Sequence, residues 1–457
     1  MELNSPVFLF LFLPLFIAAY YFAPQRLKLV LGILGSLLFY AWDSLTYLPL
    51  MMGLTLFAYL LGRGIQRRRG QKLSLLLLWL GILVNVSLLV GFKLWAEVKY
   101  PLGLSYVAFQ VVAYLVEVYG RESEYEKDFL AFSFYLLLFP KIPVGPIVRY
   151  RQLREQIKNL QAAPEDLAEG VRRFIRGFAK KALIADTLAK VVVPVFNLTS
   201  PVILPHLAWL VLAAYALQLY FDFSGCTDMA LGVGRMLGLR FIENFNFPYL
   251  SKNIGDFWRR WHISLSSWFR DYVFYPLERR RFTRFSRQLN ILIVFALTGL
   301  WHGLTRNFLI WGLIHGLALI FESTSLGRRL RTAWTPLQHL YALGVILVGW
   351  VFFRSPTPDF ALDFLRRLAG DMSGYKTLPF GLTSPLPIIE PTFLLALAAG
   401  ILLSFPVGGW LQKRAETFFP AQLPRQILYD LWLVFLFWAA VASTTNAVFQ
   451  PGIYGAF

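Results

Sequence analysis

The chain has 457 residues, 57% hydrophobic and only 15% charged, well below the roughly 25% charged residues of an average soluble protein. Its net charge of +18 would suit a nucleic-acid binder. However, the basic residues fall in short loops between apolar runs, the pattern of the cytoplasmic side of a membrane protein facing anionic headgroups. The single cysteine, Cys226, excludes intramolecular disulfides and cysteine-cluster metal sites.

Apolar runs at 6–23, 29–42, 45–62, 73–92, 205–221, 307–321, 338–353, 392–410 and 427–442 each approach the ~20 residues that span a bilayer. A transmembrane barrel would show short alternating segments instead. The expected fold is all-α and polytopic, one membrane domain over 1–457 with about eleven spans. Residues 1–120 read as simple spans with tight connections. The first has no basic residue before Arg26, so it reads as an uncleaved span rather than a signal peptide. Arg67, Arg68, Arg69 and Lys72 follow three spans. If that loop is cytoplasmic, the N-terminus lies outside and the Arg26 and Lys28 loop inside. Further basic loops are expected at Arg279, Arg280, Arg281, Arg284 and Arg287, and at Arg328, Arg329 and Arg331.

Residues 121–190 are more polar. FPKIPVGPIVRYRQL (139–153) holds three prolines and a glycine, so one regular helix is excluded. Irregular backbone at membrane depth must be buried in protein or line a wet cavity. From 165 to 190, Arg172, Arg173, Arg176, Lys180 and Lys181 alternate with Val171, Phe174, Ile175, Phe178 and Leu183, a basic amphipathic helix of the kind that lies in the interface. A direct substrate contact is the alternative.

Residues 205–323 form the expected catalytic core. The stretch 218–287 mixes charges with aromatics, so short tilted or re-entrant helices are expected, with charge pairs compensating one another. Asp222 and Asp228 flank a Ser-Gly step, with Arg235 beyond. Acid–base work is one reading; charge compensation by the arginine is the commoner one. Residues 256–272 read as an amphipathic helix, with His262 one turn from Trp258 and from Ser266, and with Arg259 and Ser266 on its face. A positive neighbour keeps an imidazole neutral, the form that a general base needs. A plain hydrogen bond to a neighbouring helix is the other reading. Residues 289–303 read as an apolar helix ending in Trp301-His302-Gly303, where Gly299 and Gly303 would let a partner or substrate come close. No acidic residue lies nearby, so proton transfer is favoured over metal binding. His315 reads as a core histidine, and His206 and His339 as interfacial. Residues 338–457 read as C-terminal spans.

FPKIPVGPIVRY (139–150), LQLYFDFSGCTDMALGVGRMLGLRFIENFNFPYLSKNIGDFWRRWHISLSSWFRDYVFYPL (217–277), NILIVFALTGLWHGLTRNFLIWGLIHGL (290–317) and WVFFRS (350–355) together resemble the membrane-bound O-acyltransferases. The likeness is to the alginate O-acetyltransferase branch, whose sister is the teichoic acid D-alanyl transferase. It covers about residues 1–370 and is weak in the last two spans. The resemblance implies helices around a central funnel or tunnel. It implies His302 as the catalytic histidine and His262 as a second important one. Arg259, Trp258, Trp261, Ser266, Trp301 and Asn290 are the substrate-binding or oxyanion candidates. No metal or bound cofactor is expected. The implied donor is acetyl-CoA or another acyl thioester. The implied partners, besides membrane lipids, are an acyl-relay protein and a polysaccharide acceptor in the periplasm or outside the cell. The implied place is a bacterial inner membrane. After Tyr275-Pro276-Leu277 the chain reads Glu278-Arg279-Arg280-Arg281 where alginate-type members carry a Gly-Gly-Asn-Arg-like turn, which weakens alginate as the polymer. A D-alanyl transferase-like reaction and, from another class, a proton-coupled transporter or flippase are the rival readings. Transporters show paired broken helices in repeated halves, and here the polar middle occurs once.

Overall fold

Apolar runs become helices because backbone N–H and C=O groups facing lipid must be satisfied within their own segment. The computed structural model describes residues 1–95, 97–198, 203–279, 285–373, 389–418 and 421–445, and among these no strand occurs. Arg280, Arg281 and Arg284 of the expected basic loop lie outside the described residues. Among the described residues five helices are long and apolar enough to cross a membrane, or up to seven if the bent pairs Arg306–Ser323 with Ser325–Thr332 and Pro391–Leu403 with Val407–Phe418 each count as one span. About eleven spans were expected. The difference lies in helix length: Lys28–Ser44 and Ser286–His302 have 17 residues each, and Leu104–Tyr119 has 16.

The chain forms two compact units. One comprises Met1–Phe178 with Cys226–Glu243; the other comprises Ala179–Gly225 with the described residues of Asn244–Gln450. In the first, the proline-rich stretch breaks as its composition requires. Phe129–Leu137 stops at Leu138, a single turn covers Lys141–Val144, and a new helix runs Tyr150–Lys158. The buried Lys141 ammonium donates to Gln110 Oε1 at 2.7 Å and to the Tyr135 carbonyl. The amphipathic helix Pro164–Ala179 presses its Gly170 onto Gly232; a side chain at 170 would put its first carbon 2.6 Å from the Gly232 carbonyl oxygen. Arg173 binds Asp228 and Glu243, and Arg235 binds Asp166 at 2.7 Å. Burial opposes the charge on Arg173, but the Glu243 and Asp228 carboxylates outweigh it and hold the guanidinium above its ordinary range.

Two expectations for residues 218–287 need correction. Residues 205–236 are not short re-entrant pieces but one 32-residue helix, Pro205–Met236, unbroken at Ser224-Gly225. Asp222 and Asp228 are ion-paired, but not by Arg235. Lys181, almost fully buried, binds Asp222 at 2.9 Å and Asp186 at 2.6 Å within the second unit. Asp228 belongs to Arg173 and Arg235 to Asp166 within the first. Each charge finds its partner on the Pro164–Ala179 helix or its continuation, so the long helix crosses the interior without breaking. Beyond Glu243 the expected short pieces do occur: Ile254–Arg260, Ile263–Phe269, a π-helical turn Arg270–Phe274 and Tyr275–Glu278.

Candidate active site

The site is built within the second unit, from the His262 turn and the helices Ser286–His302, Arg306–Ser323 and Thr335–Arg354. His262 does not sit on a helix wall. The expected single helix over 256–272 breaks at this residue. His262 takes a left-handed backbone (φ 42°, ψ 55°) and is the N-cap of Ile263–Phe269. A non-glycine residue there costs of order 1–3 kcal/mol and persists only where its surroundings over-determine it.

Three contacts supply that determination. Residues 244–246 run alongside 260–263, with Ile263 N–H donating to the Asn244 carbonyl at 3.0 Å and Asn246 N–H to the Arg260 carbonyl at 2.9 Å. The Asn244 side-chain oxygen lies 3.2 Å from His262 Nδ1, 3.1 Å from the Ser264 backbone nitrogen and 3.0 Å from Ser264 Oγ. At the other end of the preceding helix, Glu322 accepts from Ile254 N–H at 2.5 Å and Gly255 N–H at 3.2 Å. A carboxylate at a helix N-terminus satisfies orphan donors and complements the dipole. Glu322 ends the helix that follows His302, so it ties the His262 turn to the His302 hairpin.

That hairpin is set by glycines. A side chain at Gly299 would bring its first carbon to 2.3 Å from the Phe308 carbonyl oxygen, and one at Gly312 to 2.2 Å from that of Phe295. Helices Ser286–His302 and Arg306–Ser323 therefore meet backbone to backbone. Of the partner or substrate expected to come close at Gly299 and Gly303, the structure shows a partner: the following helix fills the space at Gly299, and the Phe308 ring fills that at Gly303.

His302 ends its helix, 4% exposed. Its ring centroid lies 4.9 Å from Phe353, 5.1 Å from Trp311 and 4.5 Å from Trp301. His262, 1% exposed, lies 4.7 Å from Phe223 and 6.3 Å from Trp301. The two imidazoles, 40 residues apart in the chain, thus both neighbour one indole.

The other candidates divide. Trp301 lies at the centre. Trp261 is buried against Trp350 at 5.0 Å and Phe245 at 5.1 Å, behind His262. Trp258 is half-buried against His315 at 5.2 Å and Phe295 at 5.4 Å. The single helix that would put Arg259 and Ser266 on the face of His262 is interrupted at that residue. Arg259 is largely exposed and pairs with Asp256 at 3.4 Å, while Ser266 Oγ donates to the Trp261 carbonyl. Asn290 is buried on the helix of His302, but twelve residues earlier, about 18 Å along its axis. His315 is fully buried between Trp311 at 5.3 Å and Trp258, the core position expected. His339 Nδ1 lies 3.2 Å from the Ser251 carbonyl oxygen. Among the described residues no three His, Cys, Asp or Glu side chains gather as metal ligands would.

Asn244, Glu322, Trp311 and Phe353 were not singled out from sequence. Asn244 stood in FIENFNFP as one polar residue among many. Nothing in the sequence marked it, because the left-handed N-cap at His262, whose own side chain does not cap, appears only in the folded chain.

A family model described as MBOAT, membrane-bound O-acyltransferase family, matches residues 51–354. The chain is 37% identical over 387 residues to "Probable alginate O-acetylase AlgI" of Azotobacter vinelandii, covering 79% of this chain and 76% of that protein. It is 33% identical over 419 residues to "Peptidoglycan O-acetyltransferase" of Helicobacter pylori, covering 80% and 79%. It is 32% identical over 253 residues to "Teichoic acid D-alanyltransferase" of Bacillus subtilis, covering 50% and 63%. With its all-helical, multi-pass build and the match over residues 51–354, the chain belongs to the membrane-bound O-acyltransferase family and is an O-acyltransferase.

Proposed function

We propose that this enzyme moves an acetyl group from a cytoplasmic acyl thioester, acetyl-CoA or a related donor, to a hydroxyl of an exported polysaccharide, directly or through a relay protein. The observation that carries the reading is the pair of buried imidazoles that both neighbour Trp301. Intramembrane ionisable groups are functional-site candidates, and the charges of the Pro205–Met236 helix discussed above are accounted for by ion-pair partners. Relatives over four-fifths of the chain carry the names of O-acetylases.

In this reading His302 takes the proton of the accepting hydroxyl as that oxygen attacks the thioester carbonyl. The tetrahedral intermediate collapses with loss of the thiolate, which takes up a proton. His262 orients or polarises the reacting groups. The aromatic walls, Trp301, Trp311, Phe308 and Phe353, exclude water and so protect the thioester from hydrolysis. The enzyme sits in a bacterial inner membrane with its basic loops inside and its N-terminus outside. The polymer need not be alginate, given the Glu278-Arg279-Arg280-Arg281 loop.

Purified protein supplied with radiolabelled acetyl-CoA and an acceptor polysaccharide should yield covalently labelled polymer. His302→Ala should lower that yield by about 10²–10⁴-fold, the usual worth of one proton-transfer group, while inserting normally. Full transfer by that variant would overturn the assignment, and transport of unacylated polymer without label would favour the transporter.

A further inference from the structure

We infer that Asn244 is a positioning residue that locks His262 in the tautomer with its proton on Nδ1, so that Nε2 is the nitrogen presented to the reaction. The inference rests on the reading that His262 belongs to the reacting site, and it follows from donor and acceptor chemistry alone.

The Ser264 backbone nitrogen lies 3.1 Å from one side-chain atom of Asn244. A backbone N–H can only donate, so that atom must be the carboxamide oxygen and not the NH₂ group. A flipped amide would set two donors against each other. The same oxygen lies 3.2 Å from His262 Nδ1. An oxygen of this kind can only accept, so Nδ1 must carry a hydrogen. In the neutral imidazole the other nitrogen, Nε2, then holds the lone pair. The orientation of the amide, a matter of choice for an isolated asparagine, is fixed here by a main-chain donor that cannot change its role.

The same contact completes the helix. Ser264 is the second residue of Ile263–Phe269, where an N-cap side chain ordinarily accepts the backbone N–H. The N-cap is His262, whose side chain makes no capping bond. Asn244, eighteen residues upstream, supplies the oxygen instead. One buried amide therefore caps the helix, holds the left-handed turn and sets the imidazole. The rings that touch His262, Phe223 at 4.7 Å and Trp301 at 6.3 Å, carry no charge.

The test is nitrogen NMR of the full-length protein in lipid bilayers, labelled with ¹⁵N at its five histidines. His262→Gln identifies the His262 resonances by their loss. In the unsubstituted protein, His262 should give a protonated Nδ1 and an unprotonated Nε2. The reverse pattern, or an even mixture, would overturn the inference. Asn244→Leu should abolish the preference and lower acyl transfer roughly tenfold or more. Asn244→Asp keeps the acceptor and adds a negative charge that favours imidazolium. It should retain the Nδ1–H signal and move the acidic limb of the pH–rate profile to higher pH. A purely structural cap would be rescued by Asp with no such move, and that result too would overturn the inference. The spectrum is read independently of activity. If His262→Gln transfers acetyl as well as the unsubstituted protein, the site reading fails while the tautomer is still decided.

Discussion

The long Pro205–Met236 helix and the His262–His302 pocket both bring ionisable groups into an apolar interior, yet they handle them in opposite ways. On the helix every charge discussed meets an opposite charge: Asp222 with Lys181, Asp228 with Arg173, Arg235 with Asp166. Beside Trp301, uncharged rings lie against both imidazoles, and His262 meets the neutral Asn244 amide. Ion pairs favour the charged form of both partners, which suits a strut. A neutral amide adds no charge to an imidazole, and the neutral ring is the form that a base needs. The comparison teaches that polarity inside the membrane does not by itself mark the reacting site; the kind of partner does.

Substitutions can break the contrast. The largest effect on stability is expected at Lys181. Lys181→Met leaves Asp186 and Asp222 buried without their cation and should cost about 3–5 kcal/mol, read as a large fall in thermal midpoint in bilayers or detergent. Gly299→Leu comes next. It drives a side chain into the Phe308 carbonyl and should cost about 1–3 kcal/mol, with acyl transfer falling further than stability because the His302 helix end moves. Arg259→Ala should do least. Its exposed pair with Asp256 is worth under about 1 kcal/mol, and transfer should stay within a few-fold of the unsubstituted enzyme. A collapse of transfer in Arg259→Ala at unchanged stability would show that this arginine meets the developing oxyanion after all.

Much of this was legible in the sequence, for reasons of differing strength. The break at FPKIPVGP follows from proline chemistry. The two histidines stood out because imidazoles are costly in apolar surroundings. The helix boundaries near 256–272 were misread because Trp258, Trp261, Leu265 and Trp268 keep helical spacing straight through His262. Periodicity is blind to a single left-handed residue that two short helices share. The partners of Asp222 and Asp228 were misassigned because Arg235 is near in sequence, whereas Arg173 and Lys181 are brought in by the chain's return. Glycines 299 and 303 announced a close approach but not by what. Asn244 was out of reach because its role depends on a turn that only the folded chain reveals.

The central claim is that His262 and His302 act as one unit around Trp301. A double-mutant cycle on acyl transfer tests it most directly, with His262→Ala, His302→Ala and both together in bilayers, each checked for insertion. Groups that act together are strongly non-additive. The double variant should be scarcely slower than His302→Ala alone. Losses that simply multiply would contradict it, because the two histidines would then serve separate sites.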